Sequence, residues 1–270
     1  MHAPLHALTA TLLALTTLAL AGCALAPNGP AIDDSRRARG QDSRVLFVVL
    51  HYTVGDFRRA MQVLTEGEVS AHYLLSDEVP PRIYRLVDET RRAWHSGNSA
   101  WQGHRLLNAS SIGIEIVHPG PRTDGEGRRV DIPFPEAQIE ALIPLLRDIA
   151  ARHAIRPERI LGHGEVSPSY KEDPGPTFPW RRLAEAGLTP PWPDAAAVTA
   201  QQALFEAAPP EAAWYQQALA RHGYAVEPSG SFDAQTARVL MNFQMRYRPV
   251  RFDGRPDAET AALLQVLTRP

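Results

Sequence analysis

Cysteine is nearly missing from this chain of 270 residues: there is one, Cys23. No disulfide can form within the chain, so an oxidising compartment is permitted but not required. A surplus of charge is missing too. Lys and Arg number 28 against 30 Asp and Glu, the net charge is -2, and the pI is near 6.6. Without a basic excess, nucleic acid is not an expected partner. Residues Met1 to Ala31 hold no Asp, Glu, Lys or Arg at all. Within them, Leu8 to Ala21 is apolar apart from threonines. That run is shorter than the roughly 20 residues a membrane span needs and has the length of a signal-peptide core. No long internal repeat is present. What is there is a hydrophobic share of 44% and 24 prolines. That is enough apolar material for one medium domain and a smaller one.

The apolar run ends in Leu20-Ala21-Gly22-Cys23, which resembles a bacterial lipobox. The resemblance implies a signal peptide over 1–22 and lipidation of Cys23, which then becomes the first mature residue. Ala24 carries no inner-membrane retention signal of the kind such lipoproteins use, so the resemblance implies the periplasmic face of the outer membrane. The first six residues lack Lys and Arg, so only the amino terminus and histidine supply the usual positive start. The competing reading is a buried cysteine in an N-terminal helix. Residues 23–43 read as a polar tether, with too little apolar surface to fold alone.

Order is expected from Val45-Leu46-Phe47-Val48-Val49-Leu50, a continuous run that reads as a strand buried on both faces. A helix follows over Asp56 to Leu64, with Gly67 after its end. Strands are expected at 72–75 and 83–87, joined by a turn through Asp77, Pro80 and Pro81, and again at 111–117. Ile139, Leu142, Ile143, Leu146, Ile149 and Ala150 recur at helical spacing, which predicts a helix over 135–153 with a kink at Pro144. Arg159 to Gly162 reads as a short strand. From 190 to 210 Pro and Ala dominate, as in a linker, with a short helix around 200–206. Three helices are expected beyond it, over 211–222, 233–247 and 257–267. The expected class is α/β: a mixed β-sheet flanked by helices over 44–189, a linker over 190–210, and a small all-α three-helix domain over 211–270.

Three features point to chemistry. His51 sits at the end of the first buried strand. His163 follows another apolar stretch in Gly162-His163-Gly164-Glu165. Lys171-Glu172-Asp173-Pro174-Gly175-Pro176 presents a base and an acid on a proline-bounded loop. Two histidines and a carboxylate on separate elements suit zinc, which leaves a fourth position for water in a catalytic site. With 10 histidines and many carboxylates in the chain, residue type alone leaves other triples open. Glu115 lies between isoleucines on a strand, where a carboxylate is costly unless it is paired or functional.

Six blocks occur in order: His51-Tyr52-Thr53; Ser70-Ala71-His72-Tyr73-Leu74-Leu75; Ala93-Trp94-His95-Ser96-Gly97; Ile112-Gly113-Ile114-Glu115; Gly162-His163; and Lys171 to Trp180. Together they resemble the N-acetylmuramoyl-L-alanine amidase family of the AmiD and AmpD type, whose fold is shared with peptidoglycan recognition proteins. With the lipobox and the C-terminal segment, the likeness is closest to the AmiD-type lipoproteins. The resemblance implies one Zn2+ held by His51, His163 and Asp173. It implies Glu115 as general base and Lys171 as stabiliser of the oxyanion. It places Trp94 and His95 along the substrate groove and His72 behind the site. Some relatives carry a catalytic tyrosine at the position of Ala71; alanine leaves the Glu115 route. Glu165 and Glu172 are expected to face solvent.

Trp214-Tyr215-Gln216-Gln217-Ala218-Leu219, Gly223-Tyr224, Phe243-Gln244 and Asp253-Gly254 resemble a peptidoglycan-binding module. A plain helical packing domain is the other reading. The implied partners are peptidoglycan or muropeptides and a membrane reached through the lipid, with the chain a monomer. Two other functions stay open at this stage: a recognition protein that binds wall fragments without cutting, and a zinc peptidase acting within the stem peptide.

Overall fold

The computed structural model describes residue 30 and residues 32–269. Cys23 and the apolar run before it lie outside the described residues. Residues 32–41 form no helix or strand.

From residue 42 onward the elements follow in order. β1 is Phe47–Tyr52, α1 Phe57–Glu66, β2 Tyr73–Leu75, β3 Ile83–Arg85, β4 Ala100–Trp101, β5 His104–Arg105 and β6 Ser111–Ile116. Next come β7 Arg122–Thr123, β8 Arg129–Val130, α2 Glu136–His153, β9 Ile160–Gly162, α3 His163–Val166 and α4 Trp180–Glu185. The C-terminal helices are α5 Ala195–Ala207, α6 Ala212–His222, α7 Ala234–Tyr247 and α8 Ala258–Leu267. The main sheet is five-stranded in the order β3-β2-β6-β1-β9. β1, β6, β9 and β2 run parallel, and β3 closes one edge antiparallel.

The two faces of the sheet are sorted by alternation along its strands. In β1, Val48 and Leu50 point into a core with Ile139, Leu142, Leu146 and Ile149 of α2. Phe47 and Val49 enter a second core, and there they meet Tyr215, Leu219, Val239, Leu240 and Phe243 of α6 and α7. Both faces of β1 are therefore buried, as its unbroken apolar run requires. β6 pairs with β1 in parallel register, His51 beside Glu115. Its isoleucines 112, 114 and 116 join the α2 side, which leaves Ser111, Gly113 and Glu115 for the other face.

β1 starts two residues later than the apolar run suggests and takes in His51 itself. α2 runs unbroken through Pro144. That residue is exposed, as is Glu140 one turn before it, so water can serve the carbonyl that proline leaves without a donor. The segment expected as a linker carries the 13-residue α5, begun by Asp194, whose side chain accepts from Ala197 N at 2.8 Å. Asp233 and Asp257 cap α7 and α8 in the same way. Val198 and Phe205 of α5 pack against the core that α6, α7 and α8 share with the sheet. The whole stretch Asp42–Pro270 is one compact unit. Among the described residues, no helix is long and apolar enough to cross a membrane.

Candidate active site

Three adjacent parallel strands end at one place. β1 delivers His51, β6 delivers Glu115, and β9 runs into His163, the first residue of α3. The carboxyl ends of parallel strands are where an α/β sheet opens a crevice for ligands. The fourth contributor, Asp173, arrives on the loop after α3. That loop is fastened by Gly164 N donating to the Asp173 carbonyl at 2.8 Å and Lys171 N donating to Ser167 O at 3.1 Å.

The side chains of His51, His163 and Asp173 converge. His51 Nδ1 and His163 Nδ1 are 3.0 Å apart, and each is 3.1 Å from Asp173 Oδ2. All three residues are buried. Two imidazole nitrogens and one carboxylate oxygen aimed at a common point fit a cation better than one another. Donors bonded to a tetrahedral zinc-like ion stand about 3.3 Å apart, close to these separations. Among the described residues this is the one group of His, Cys, Asp and Glu placed to hold a metal ion. Burial and the neighbouring His163 push His51 down to about 4, so both its lone pair and its neutrality are kept at neutral pH. Burial acts to raise Asp173, but the two imidazoles outweigh it and hold the carboxyl well below its ordinary range.

A cavity of about 380 Å³ opens beside the triad. Glu115 and Lys171 line it, and Val63, Leu64 and Val69 give it an apolar wall. Burial, then the charge of Asp173, push the Glu115 carboxyl up to about 8, against the pull of Lys171. Among the described residues Glu115 Oε2 is buried with no hydrogen-bond partner. A carboxylate that costly and that free is suited to taking up a proton. Lys171 is the only lysine in the chain; every other side-chain cation of that class is arginine. That signal was legible in the sequence and marks the residue out.

The structure corrects two expectations. His95 does not line the groove. It is 8% exposed, and its Nδ1 lies 3.0 Å from His51 Nε2, on the side of that ring away from His163 and Asp173. Trp94 keeps its indole outside, 55% exposed, because alternate residues of this extended segment point opposite ways. Glu165 does not face solvent either. Its Oε2 accepts from Gly162 N at 2.8 Å and from Arg246 Nη1 of α7 at 2.6 Å. Arg246 in turn stacks on Trp180 at 4.0 Å. Asn242 of α7 donates to the Lys171 carbonyl at 3.2 Å. Sequence reading missed Arg246 and Asn242 altogether; they lie 81 and 71 positions from their partners. Glu172 is half-buried and pairs with Arg129 at 3.0 Å. His72 sits behind the site as expected, accepting from Gly113 N at 3.0 Å.

Residues 41–176 match the N-acetylmuramoyl-L-alanine amidase family. The chain is 41% identical to N-acetylmuramoyl-L-alanine amidase AmiD of Escherichia coli K12, over 94% of this chain and 95% of the relative. The chain belongs to the N-acetylmuramoyl-L-alanine amidase family. Residues 209–264 of this amidase match a second family, described as "Putative peptidoglycan binding domain". It superposes on E. coli AmiD, solved in complex with anhydro-N-acetylmuramic acid-L-Ala-D-gamma-Glu-L-Lys. The TM-score is 0.79 at 40% identity, over 90% of this chain and 95% of that one. AmpDh3 of Pseudomonas aeruginosa superposes with a TM-score of 0.80 at 37% identity, over 88% of this chain and 98% of that one.

Proposed function

We propose that this amidase hydrolyses the amide between N-acetylmuramic acid and L-alanine in peptidoglycan or its muropeptide fragments, with one zinc ion held by His51, His163 and Asp173. The observation that carries the reading is the convergence of those three donors, within 3.1 Å of one another, beside the Glu115 carboxylate, whose Oε2 is buried with no partner among the described residues. Nitrogen and carboxylate donors suit zinc, and zinc bound there would polarise the amide carbonyl and acidify a water. The substrate class is supported by the AmiD complex with an anhydro-muropeptide.

The protein's own groups then have separate tasks. Glu115, when ionised, takes the proton from the attacking water and passes it to the leaving nitrogen. Its raised affinity for a proton helps it hold that proton between the two steps. Lys171 lies on the same cavity wall and stabilises the oxyanion of the tetrahedral intermediate. The apolar wall of α1 keeps water away from the reacting amide. Trp94 offers an exposed indole as a substrate contact. Cys23 is the proposed lipid attachment point, which would hold a monomeric enzyme at the periplasmic face of the outer membrane.

Digestion of purified muropeptides, read by mass spectrometry with and without a chelator, tests the reaction. The expected products are intact sugar and a free stem peptide beginning with L-alanine, and their loss with chelator. Cuts inside the stem would make the protein a peptidase. Binding without any cut would make it a recognition protein.

A further inference from the structure

We propose that His95 is a positioning residue of the metal centre, and that with Ser111 behind it, it fixes the tautomer and ring orientation of His51. The proposal rests on the metal reading above and deepens it.

Both histidines of the triad turn Nδ1 toward Asp173 Oδ2. A ring nitrogen that gives its lone pair to a cation carries no hydrogen, so the His51 proton must sit on Nε2. That atom is 3.0 Å from His95 Nδ1, which must therefore accept. An accepting Nδ1 leaves the His95 proton on Nε2, which donates to Ser111 Oγ at 3.1 Å. The Ser111 hydroxyl then has one place for its own hydrogen, the Leu107 carbonyl oxygen at 2.6 Å. A carbonyl only accepts. The direction of the chain is thus set identically from both ends, by the cation at one and the carbonyl at the other.

The surroundings are built for this ring. Its residue is 8% exposed. A Cβ at Gly113 would overlap the His95 imidazole, so this stretch of β6 needs glycine to admit it. The backbone N–H groups of His95 and Ser96 both donate to Asn108 Oδ1, at 3.0 and 2.8 Å. His51 and His95 meet edge to face with centroids 5.1 Å apart. His163 has no such support: among the described residues its Nε2 is buried without a partner. The chain through His95 is therefore the side-chain brace that orients a metal-ligand histidine here.

The experiment measures zinc affinity of the full chain by chelator competition, alongside kcat and KM on a muropeptide and thermal unfolding of the metal-free protein. His95→Ala is expected to weaken zinc binding about 10–100-fold and to lower kcat more than it changes KM. His95→Gln, whose amide oxygen can still accept from His51 Nε2–H, is expected to recover most of that affinity. Ser111→Ala frees the His95 tautomer and is expected to weaken zinc binding by less than His95→Ala. Unchanged zinc affinity in His95→Ala overturns the proposal, as does a His95→Gln no better than His95→Ala. Should His95→Ala fail to fold, Ser111→Ala decides, and wild-type affinity there is the refuting result. A wild-type chain that holds no zinc would sink the metal reading first and this one with it.

Discussion

Glu115 is the residue at which physical cost and proposed chemical use coincide. Its proton is held more tightly folded, up to about 8, than the ordinary 4.5 of a free glutamate, because burial and Asp173 disfavour the charge. A group of that kind stabilises the fold fully below its unfolded value and loses the contribution as pH rises through its folded one. In the metal-free protein, wild type should therefore lose stability relative to Glu115→Gln between about pH 4.5 and 8. The difference of the two melting curves across pH measures it, and cancels the opposite trend from His51, whose value falls to about 4. For the reaction, Glu115→Ala should keep one zinc per chain and lower kcat by about 10²–10⁴-fold. His163→Ala should lose the metal itself, so metal analysis of the two variants separates base from ligand. Lys171 offers a check that needs no mutation. As the only lysine, it is the one side-chain amine that an acylating reagent can find. Bound muropeptide should slow its modification, read by peptide mass spectrometry.

At the scale of elements, one helix braces the loop that carries Asp173. α7 reaches over residues 163–173 through Arg246 on Glu165 and Asn242 on the Lys171 carbonyl. The ion pair is about 5% exposed on both sides, so removing one partner strands a buried charge. Arg246→Met should cost about 3–5 kcal/mol in urea unfolding. Glu165→Gln combined with Arg246→Met should return much of that loss. These elements also show what a sequence can and cannot disclose. The β1 run, the α2 stripe and the aspartate caps of α7 and α8 are local patterns, and each was legible. The grouping of His51, His163 and Asp173 as a candidate metal site was legible because these residues lie in distinctive short blocks. The buried place of His95 behind His51 was not, since a histidine looks the same in sequence whether it faces a groove or packs against another ring. Glu165 was misread because its partner comes from another module. The two-residue strands of β4–β5 and β7–β8 are too short to show any period.

For the whole molecule, the decisive fact is what covers the second face of the sheet. Phe47, Val49, Leu161, Trp101 and Leu107 pack against α6, α7 and α8. Burial of such side chains contributes about 1.5–3 kcal/mol each, together on the scale of the 5–15 kcal/mol that holds an average domain folded. A chain ended at residue 189 should therefore be insoluble or unfolded by circular dichroism, although it contains every proposed catalytic group. The membrane assignment is tested separately: Cys23→Ser should move the protein from the membrane to the soluble fraction with its activity intact. The shared face has a historical consequence as well. Gln102 N bonds the Gly223 carbonyl at 2.8 Å, Trp101 lies where a Gly223 side chain would be, and Asn242 occupies the room left by Gly164. A recombination event that traded this C-terminal cassette for a foreign one would have to rebuild that seam residue by residue.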